Sequence, residues 1–218
     1  MFEAVITGNT SYPGVHKVLN STEDDHVFMY WDDHGVPCGL MFGPPLGTEY
    51  YQWWFKPDID RSLKTMFDKK MYKRMIILVE ACNSGCLFED LDPKMNIWAM
   101  TAANQTMPSK GIYCRQESKL PDGTMFPYCL GDMFTINVMN DVEAFDGRPR
   151  KLKDHWKTVV NKTATTKDRA GDYVSSWGNE EIRDNFTIED FWGITHREPH
   201  AHRHHGEDNS VSFFKYIS

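Results

Sequence analysis

Two side chains in this sequence are placed to do covalent chemistry together. Ile76-Ile77-Leu78-Val79-Glu80-Ala81-Cys82-Asn83-Ser84-Gly85 is an apolar run that ends on a thiol beside a small-residue turn. Phe28-Met29-Tyr30-Trp31-Asp32-Asp33-His34-Gly35 is a second run, and it ends on an imidazole. Both have the length and composition of buried strands. His34 and Cys82 lie 48 residues apart. A cysteine attacks a carbonyl as its thiolate, which needs a base or cation beside it. A histidine supplies that base and can then protonate the leaving amine. Cys82 as nucleophile and His34 as acid and base are the minimum equipment for acyl transfer. Taken alone, Cys82 reads equally well as a buried structural thiol.

The elements around the pair must bring them together. Val27 to Trp31 and Met75 to Val79 read as buried strands, and Met95 to Met100 as a third. Between the first two, Asp60 to Met71 carries Leu63, Met66, Phe67 and Met71 at helical spacing. Strand, helix, strand with continuous apolar runs implies an α/β fold, a mostly parallel sheet flanked by helices. Ligands of such sheets bind beyond the carboxyl ends of the strands, where His34 and Cys82 both fall. Further on, the chain reads as helical from Gly131-Asp132 to about Glu143. Arg148 to Lys167 is basic and polar, with Trp156, Val159 and Val160 as its few core candidates. Tyr173 to Trp177 is a last strand or an edge. From residue 194 to 218 the composition changes to a loose, histidine-rich tail. Those histidines could take up a transition metal adventitiously, but nothing in the spacing specifies a metal site.

Composition narrows the class. With 218 residues, 40% hydrophobic and 13% aromatic, the chain can bury one sizeable core. A net charge of −7 gives no electrostatic support for a nucleic-acid partner. No apolar stretch is long enough to span a bilayer, and the opening residues do not read as a signal peptide. Five N-x-[ST] sequons, at Asn9, Asn20, Asn104, Asn161 and Asn185, exceed chance in a chain with eleven asparagines and favour a secretory route. Cys114 and Cys129 flank a loop that a disulfide could close, whereas Cys38 and Cys86 read as structural or free.

Six ordered blocks resemble the legumain (asparaginyl endopeptidase, or vacuolar processing enzyme) family of caspase-like cysteine peptidases. They are Asp25-His26-Val27-Phe28 through Asp33-His34-Gly35, Lys70 to Met75, Glu80-Ala81-Cys82-Asn83-Ser84-Gly85, Thr101-Ala102-Ala103-Asn104, Gly111-Ile112-Tyr113-Cys114, and Cys129-Leu130-Gly131-Asp132. The resemblance implies a partial peptidase domain over residues 1–193 of caspase-like fold. The family's first strands have no counterpart here. Nor do the asparagine that orients its histidine and the arginine at its pocket floor, both carried by that part. A partner chain or N-terminal segment is therefore expected to complete the sheet, and the chain alone is expected to be poorly stable.

The resemblance also implies roles. Gly35 and Cys82 would supply backbone N–H groups to an oxyanion hole, a place where glycine lets the substrate approach. Glu80, Ser109 and Asp132 would line the pocket for a substrate asparagine, whose amide N–H₂ a carboxylate can accept. Asp33 could cyclise to a succinimide linked to peptide ligation. Each has a plainer reading: Gly35 as a turn residue, Asp132 as a helix cap, Asp33 as an ordinary strand end. The expected function is a lysosomal, vacuolar or secreted endopeptidase that cleaves after accessible asparagines in peptides or proteins, without metal or cofactor. The alternative is a catalytically inactive remnant. The related transamidase that attaches glycosylphosphatidylinositol anchors fits less well, and caspases less still, because their pocket is basic.

Overall fold

The computed structural model describes residues 1–43, 50–114, 119, 122–125, 127–144, 148–165 and 171–192. The histidine-rich tail lies outside the described residues. A short helix α1 (Phe2–Ile6) precedes strand β1 (His26–Asp32) and a small antiparallel sheet of β2 (Gly35–Val36), β3 (Gly39–Phe42) and β4 (Gln52–Phe55). Helix α2 (Lys56–Asp68) leads into β5 (Arg74–Glu80), and β6 (Ile97–Thr101) follows two 3₁₀ turns. The short strands β7 (Gly111–Ile112) and β8 (Gly131–Asp132) pair with each other. They are followed by α3 (Met133–Glu143), α4 (Leu152–Thr163), β9 (Ser175–Gly178), α5 (Glu180–Asn185) and α6 (Glu189–Trp192).

The main sheet has the order β1-β5-β6-β9. Its first three strands are parallel and β9 runs antiparallel on the edge beside β6. This is the expected α/β arrangement of a mostly parallel sheet flanked by helices. Side chains alternate between the faces of a strand, and here both faces are apolar. Met75, Ile77 and Val79 join Ile97 and Ala99 under α2, where Ile59, Leu63 and Met66 are buried. Ile76 and Leu78 join Trp98 and Met100 on the other face, against Phe134 and Val138 of α3 and Leu152 and Val159 of α4. Two cores on one sheet explain why the strand sequences are apolar at successive positions. Among the described residues no helix is long and apolar enough to cross a membrane.

Several boundaries differ from expectation for local reasons. Helix α2 starts four residues before Asp60, because Pro57 sits in its first turn, where a missing N–H costs nothing. It stops at Asp68, and Lys70 adopts a left-handed φ of 53° that turns Met71 and Tyr72 into the core. The third strand begins at Ile97 because Pro93–Met95 forms a 3₁₀ turn and Asn96 is left-handed. The basic stretch after Arg148 contains a full helix, α4, whose buried face includes two polar residues, His155 and Thr163. Of the aromatic cluster before α2, only Trp54 is buried; Tyr50, Tyr51, Trp53 and Phe55 are exposed.

Candidate active site

Strand β5 buries six residues in succession and ends at Glu80, so Cys82 projects just past its carboxyl end. Asn83 then takes a left-handed φ of 56°, a conformation asparagine tolerates better than most residues. Its backbone N–H donates to Met107 O at 2.9 Å, and its side chain donates to Gln105 O at 3.2 Å. The chain therefore turns sharply after Cys82 and leaves the thiol at the tip of the strand, half-buried and unbonded to another cysteine.

Strand β1 pairs with β5 in parallel from His26↔Arg74 to Asp32↔Glu80. The pairing ends with the Asp33 N–H donating to Glu80 O at 3.2 Å. The same offset carried two residues further sets His34 level with Cys82. Gly35 then packs its Cα directly on the Cys82 carbonyl: an added β-carbon would lie 2.1 Å from that oxygen. The hairpin β2–β3 is thereby pressed against the Cys82 turn, with the His34 side chain exposed to solvent.

Ser109 stands beside the thiol, its carbonyl oxygen 4.0 Å and its hydroxyl 3.9 Å from the Cys82 sulfur. Its hydroxyl also faces Glu80. Glu80 is only 2% exposed. One of its oxygens accepts from the N–H and the hydroxyl of Thr135, at 3.0 and 3.2 Å, in the first turn of α3. The other oxygen has no hydrogen-bond partner among the described residues. Burial pushes the Glu80 carboxyl up to about 8, against the Thr135 N–H, and the charges of Asp172 and Asp132 add to the rise. Asp132, at the start of α3, is raised by burial and by the charge of Asp32, while His34 opposes the shift. His34, Cys82, Glu80 and Asp132 are thus brought to one end of the sheet.

Four further residues belong to this cluster and were not singled out in the sequence. The Tyr30 hydroxyl donates to Asp32 at 2.8 Å and lies 2.7 Å from the Thr135 hydroxyl, which links β1 to α3. Asp32 is itself raised, chiefly by burial. Tyr30 and Asp32 alternate along one face of β1, and His34 follows at the same spacing just past its end, so the period of two was the signal available for the first two. Asp172 is 4% exposed and pushed by burial to about 7. It faces the backbones of Lys110 and Phe134, without a well-formed hydrogen bond to either oxygen among the described residues. It comes from the approach to β9, and no local pattern marked it. Asp33 points elsewhere: its carboxylate accepts the His34 N–H at 2.6 Å.

The two disulfides divide the cysteines. Cys114 pairs with Cys129 across the loop, as the sequence allowed. Cys38 and Cys86, left as structural or free, are bonded to each other. Among the described residues no group of three or more His, Cys, Asp or Glu is arranged to hold a metal ion.

The peptidase C13 family model covers residues 1–193. The chain belongs to the peptidase C13 family. It is 35% identical over 203 residues to the vacuolar-processing enzyme delta-isozyme of Arabidopsis thaliana, which aligns 86% of this chain with 42% of that protein. It is 35% identical to the vacuolar-processing enzyme of Vicia sativa, over 84% of this chain and 36% of that one. Legumain of Canavalia ensiformis is 32% identical, over 82% of this chain and 37% of its own length. This C13 chain therefore spans well under half the length of these relatives.

Proposed function

We propose that this chain carries the nucleophile and the acid–base of a cysteine endopeptidase that cleaves after asparagine. The observations that support it best are the β1–β5 register, whose offset carried two residues past its last pair would set His34 level with Cys82, and the seating of Gly35 on the Cys82 backbone. In this reading the Cys82 sulfur attacks the scissile carbonyl carbon while His34 takes the thiol proton. The resulting oxyanion is met by the backbone N–H groups of Gly35 and Cys82. His34 then gives its proton to the departing amine, leaving a thioester on Cys82. A water deprotonated by His34 hydrolyses the thioester; an incoming peptide amine in its place would give ligation. Asp33 is held with its carboxylate against the His34 N–H, the nitrogen that would close a succinimide.

The pocket supports a primary amide as the side chain bound beside Cys82. Such an amide donates through its N–H₂ and accepts through its oxygen. Asp132 can accept. Glu80, held neutral by burial up to about pH 8, can donate from the oxygen that has no partner. A carboxylic acid kept protonated in an apolar site is a known kind of hydrogen-bond donor. An acidic compartment, the vacuole or lysosome, suits this protonation state. The names of the relatives point the same way, and four sequon asparagines, Asn9, Asn20, Asn161 and Asn185, are exposed.

The test is cleavage of peptides that differ at one position, with Asn, Gln, Asp or Lys before the scissile bond. Asn-selective cleavage that disappears in Cys82→Ala and in His34→Ala is the expected result. Cleavage that survives Cys82→Ala would sink the proposal.

A further inference from the structure

Cys38 lies four residues beyond His34 and Cys86 four residues beyond Cys82, and the two are joined by a disulfide. The cross-link therefore continues the offset of the β1–β5 register, past the end of the sheet, to a covalent tie between the two loops that carry the dyad. Both ends are specifically built. Val36 pairs with Gly39, so Pro37 and Cys38 are the two central residues of a tight hairpin turn. Cys38 has a φ of 58°. A positive φ at that place in a turn after proline ordinarily calls for glycine, which has no β-carbon to crowd the backbone. What the side chain there contributes is its sulfur, which forms the bond to Cys86. Cys86 is buried in the 3₁₀ turn Ser84–Leu87, its N–H donating to Asn83 O at 3.1 Å, one residue after the nucleophile. The Cys38 carbonyl in turn accepts the Lys56 N–H at 2.8 Å, which fixes the hairpin to the start of α2.

The backbone of Gly35 presses on Cys82, but that is a contact and not a bond. The exposed His34 is carried by the same short hairpin, and among the described residues the hairpin joins no strand of the main sheet. We propose that the Cys38–Cys86 disulfide is a positioning element of the reaction: beyond the last hydrogen bond between the strands, Asp33 N–H to Glu80 O, it clamps the His34 hairpin to the Cys82 turn, and without it the imidazole drifts from the thiol. This rests on the reading of Cys82 and His34 as the reacting pair. The second disulfide, Cys114–Cys129, ties the loop between β7 and β8 and has no such role.

Alkylation by iodoacetamide tests this without any peptide substrate, because the Cys82 sulfur displaces iodide only as the thiolate. Rates at Cys82, followed by peptide mass from pH 5 to pH 9, would be compared in the native chain, His34→Ala, Cys38→Ser/Cys86→Ser and Cys114→Ser/Cys129→Ser. The native chain should react at acidic pH through a His34-dependent step. Loss of the Cys38–Cys86 bond should slow that step about ten-fold or more, the order expected when a reacting group is misplaced by an ångström or so. Its pH profile should move towards that of His34→Ala. The peptide kcat should fall with KM little changed, and Cys114→Ser/Cys129→Ser should keep the native alkylation profile. A Cys38→Ser/Cys86→Ser chain that folds and keeps the native profile overturns the clamp and leaves the dyad standing. A native profile identical to that of His34→Ala overturns the dyad and the clamp with it. If the double variant does not fold, mapping of the native chain without reduction decides. Cys38 and Cys86 in one linked peptide, with label on Cys82, supports the clamp; label on Cys38 or Cys86 overturns it.

Discussion

The Cα of Gly35 rests against the Cys82 carbonyl oxygen so closely that any β-carbon on residue 35 would come within 2.1 Å of it. That distance is far inside contact range, and the atom it meets is backbone that cannot swing aside. Gly35→Ala must push the hairpin away from the Cys82 turn. It moves His34 and the proposed oxyanion hole together, and it also displaces Leu40, which pairs with Gly35 and is buried in the core under α2. We expect kcat/KM on an asparagine peptide to fall by about 10²–10³, the order seen when an oxyanion donor is lost, and the melting temperature to drop as Leu40 shifts in the core. Steady-state kinetics and a thermal melt of the same sample check this. Near-native turnover would mean that the hairpin is free to relax.

Glu80 and Asp172 make stability depend on pH in a definite direction. Their ordinary values of 4.5 and 3.8 rise to about 8 and about 7 in the folded chain, chiefly through burial. The folded state therefore holds these protons more tightly than the unfolded chain. The stability this gives is full below pH ~4 and lost as pH rises through 7–8. Thermal melts should be highest near pH 5 and fall towards pH 8.5. Glu80→Gln with Asp172→Asn should flatten that slope. A steeper slope in the double variant would contradict the assignment.

The same proton governs the proposed amide pocket. As pH rises through about 8, Glu80 ionises and its donor is lost. KM for an asparagine peptide should then rise before kcat changes. Glu80→Gln, which keeps an N–H₂ donor at all pH values, should remove that rise. The pH dependence of KM in the two proteins measures it.

Asp141 of α3 carries a load that no catalytic argument needs. Its carboxylate is held at 2.7 Å by Arg150 and at 2.7 Å by His155, and both Asp141 and His155 are essentially inaccessible. Asp141→Ala would leave buried polar groups unpaired where α3 packs on α4. A loss of about 3–5 kcal/mol is expected, from urea unfolding. Asp141→Asn, which retains an acceptor for one partner, should cost less.

The Cys114–Cys129 bond closes a segment of 15 residues. Chain-entropy reasoning gives such a loop about 3 kcal/mol, acting through the unfolded chain. Cys114→Ser/Cys129→Ser should lower stability by up to that amount in urea unfolding.

How much of this was written in the sequence depends on the range of the interaction. Strands β1, β5 and β6 were legible as apolar runs, but only β5 and β6 are buried on both faces; β1, at the end of the strand order among the described residues, buries only Val27 and leaves Tyr30 exposed. Cys82 and His34 were legible because each ends such a run, and Glu80 because a carboxylate that close to a strand's end demands a reason. Helix α4 was not, since its buried face relies on His155 and Thr163, which count as polar until Asp141 is known to pair with one of them. Asp172 was invisible for the same reason: it reaches the site from the far end of the chain, and nothing near it in sequence announces where it goes. The partnership of Cys38 with Cys86 was likewise settled only by folding. By itself the sequence determined which residues could react and which strands would carry them, because periodicity and side-chain chemistry are local. The tertiary structure alone decided their register, the raised Glu80 and Asp172 carboxyls and the Cys38–Cys86 tie, because those depend on which distant groups are brought together.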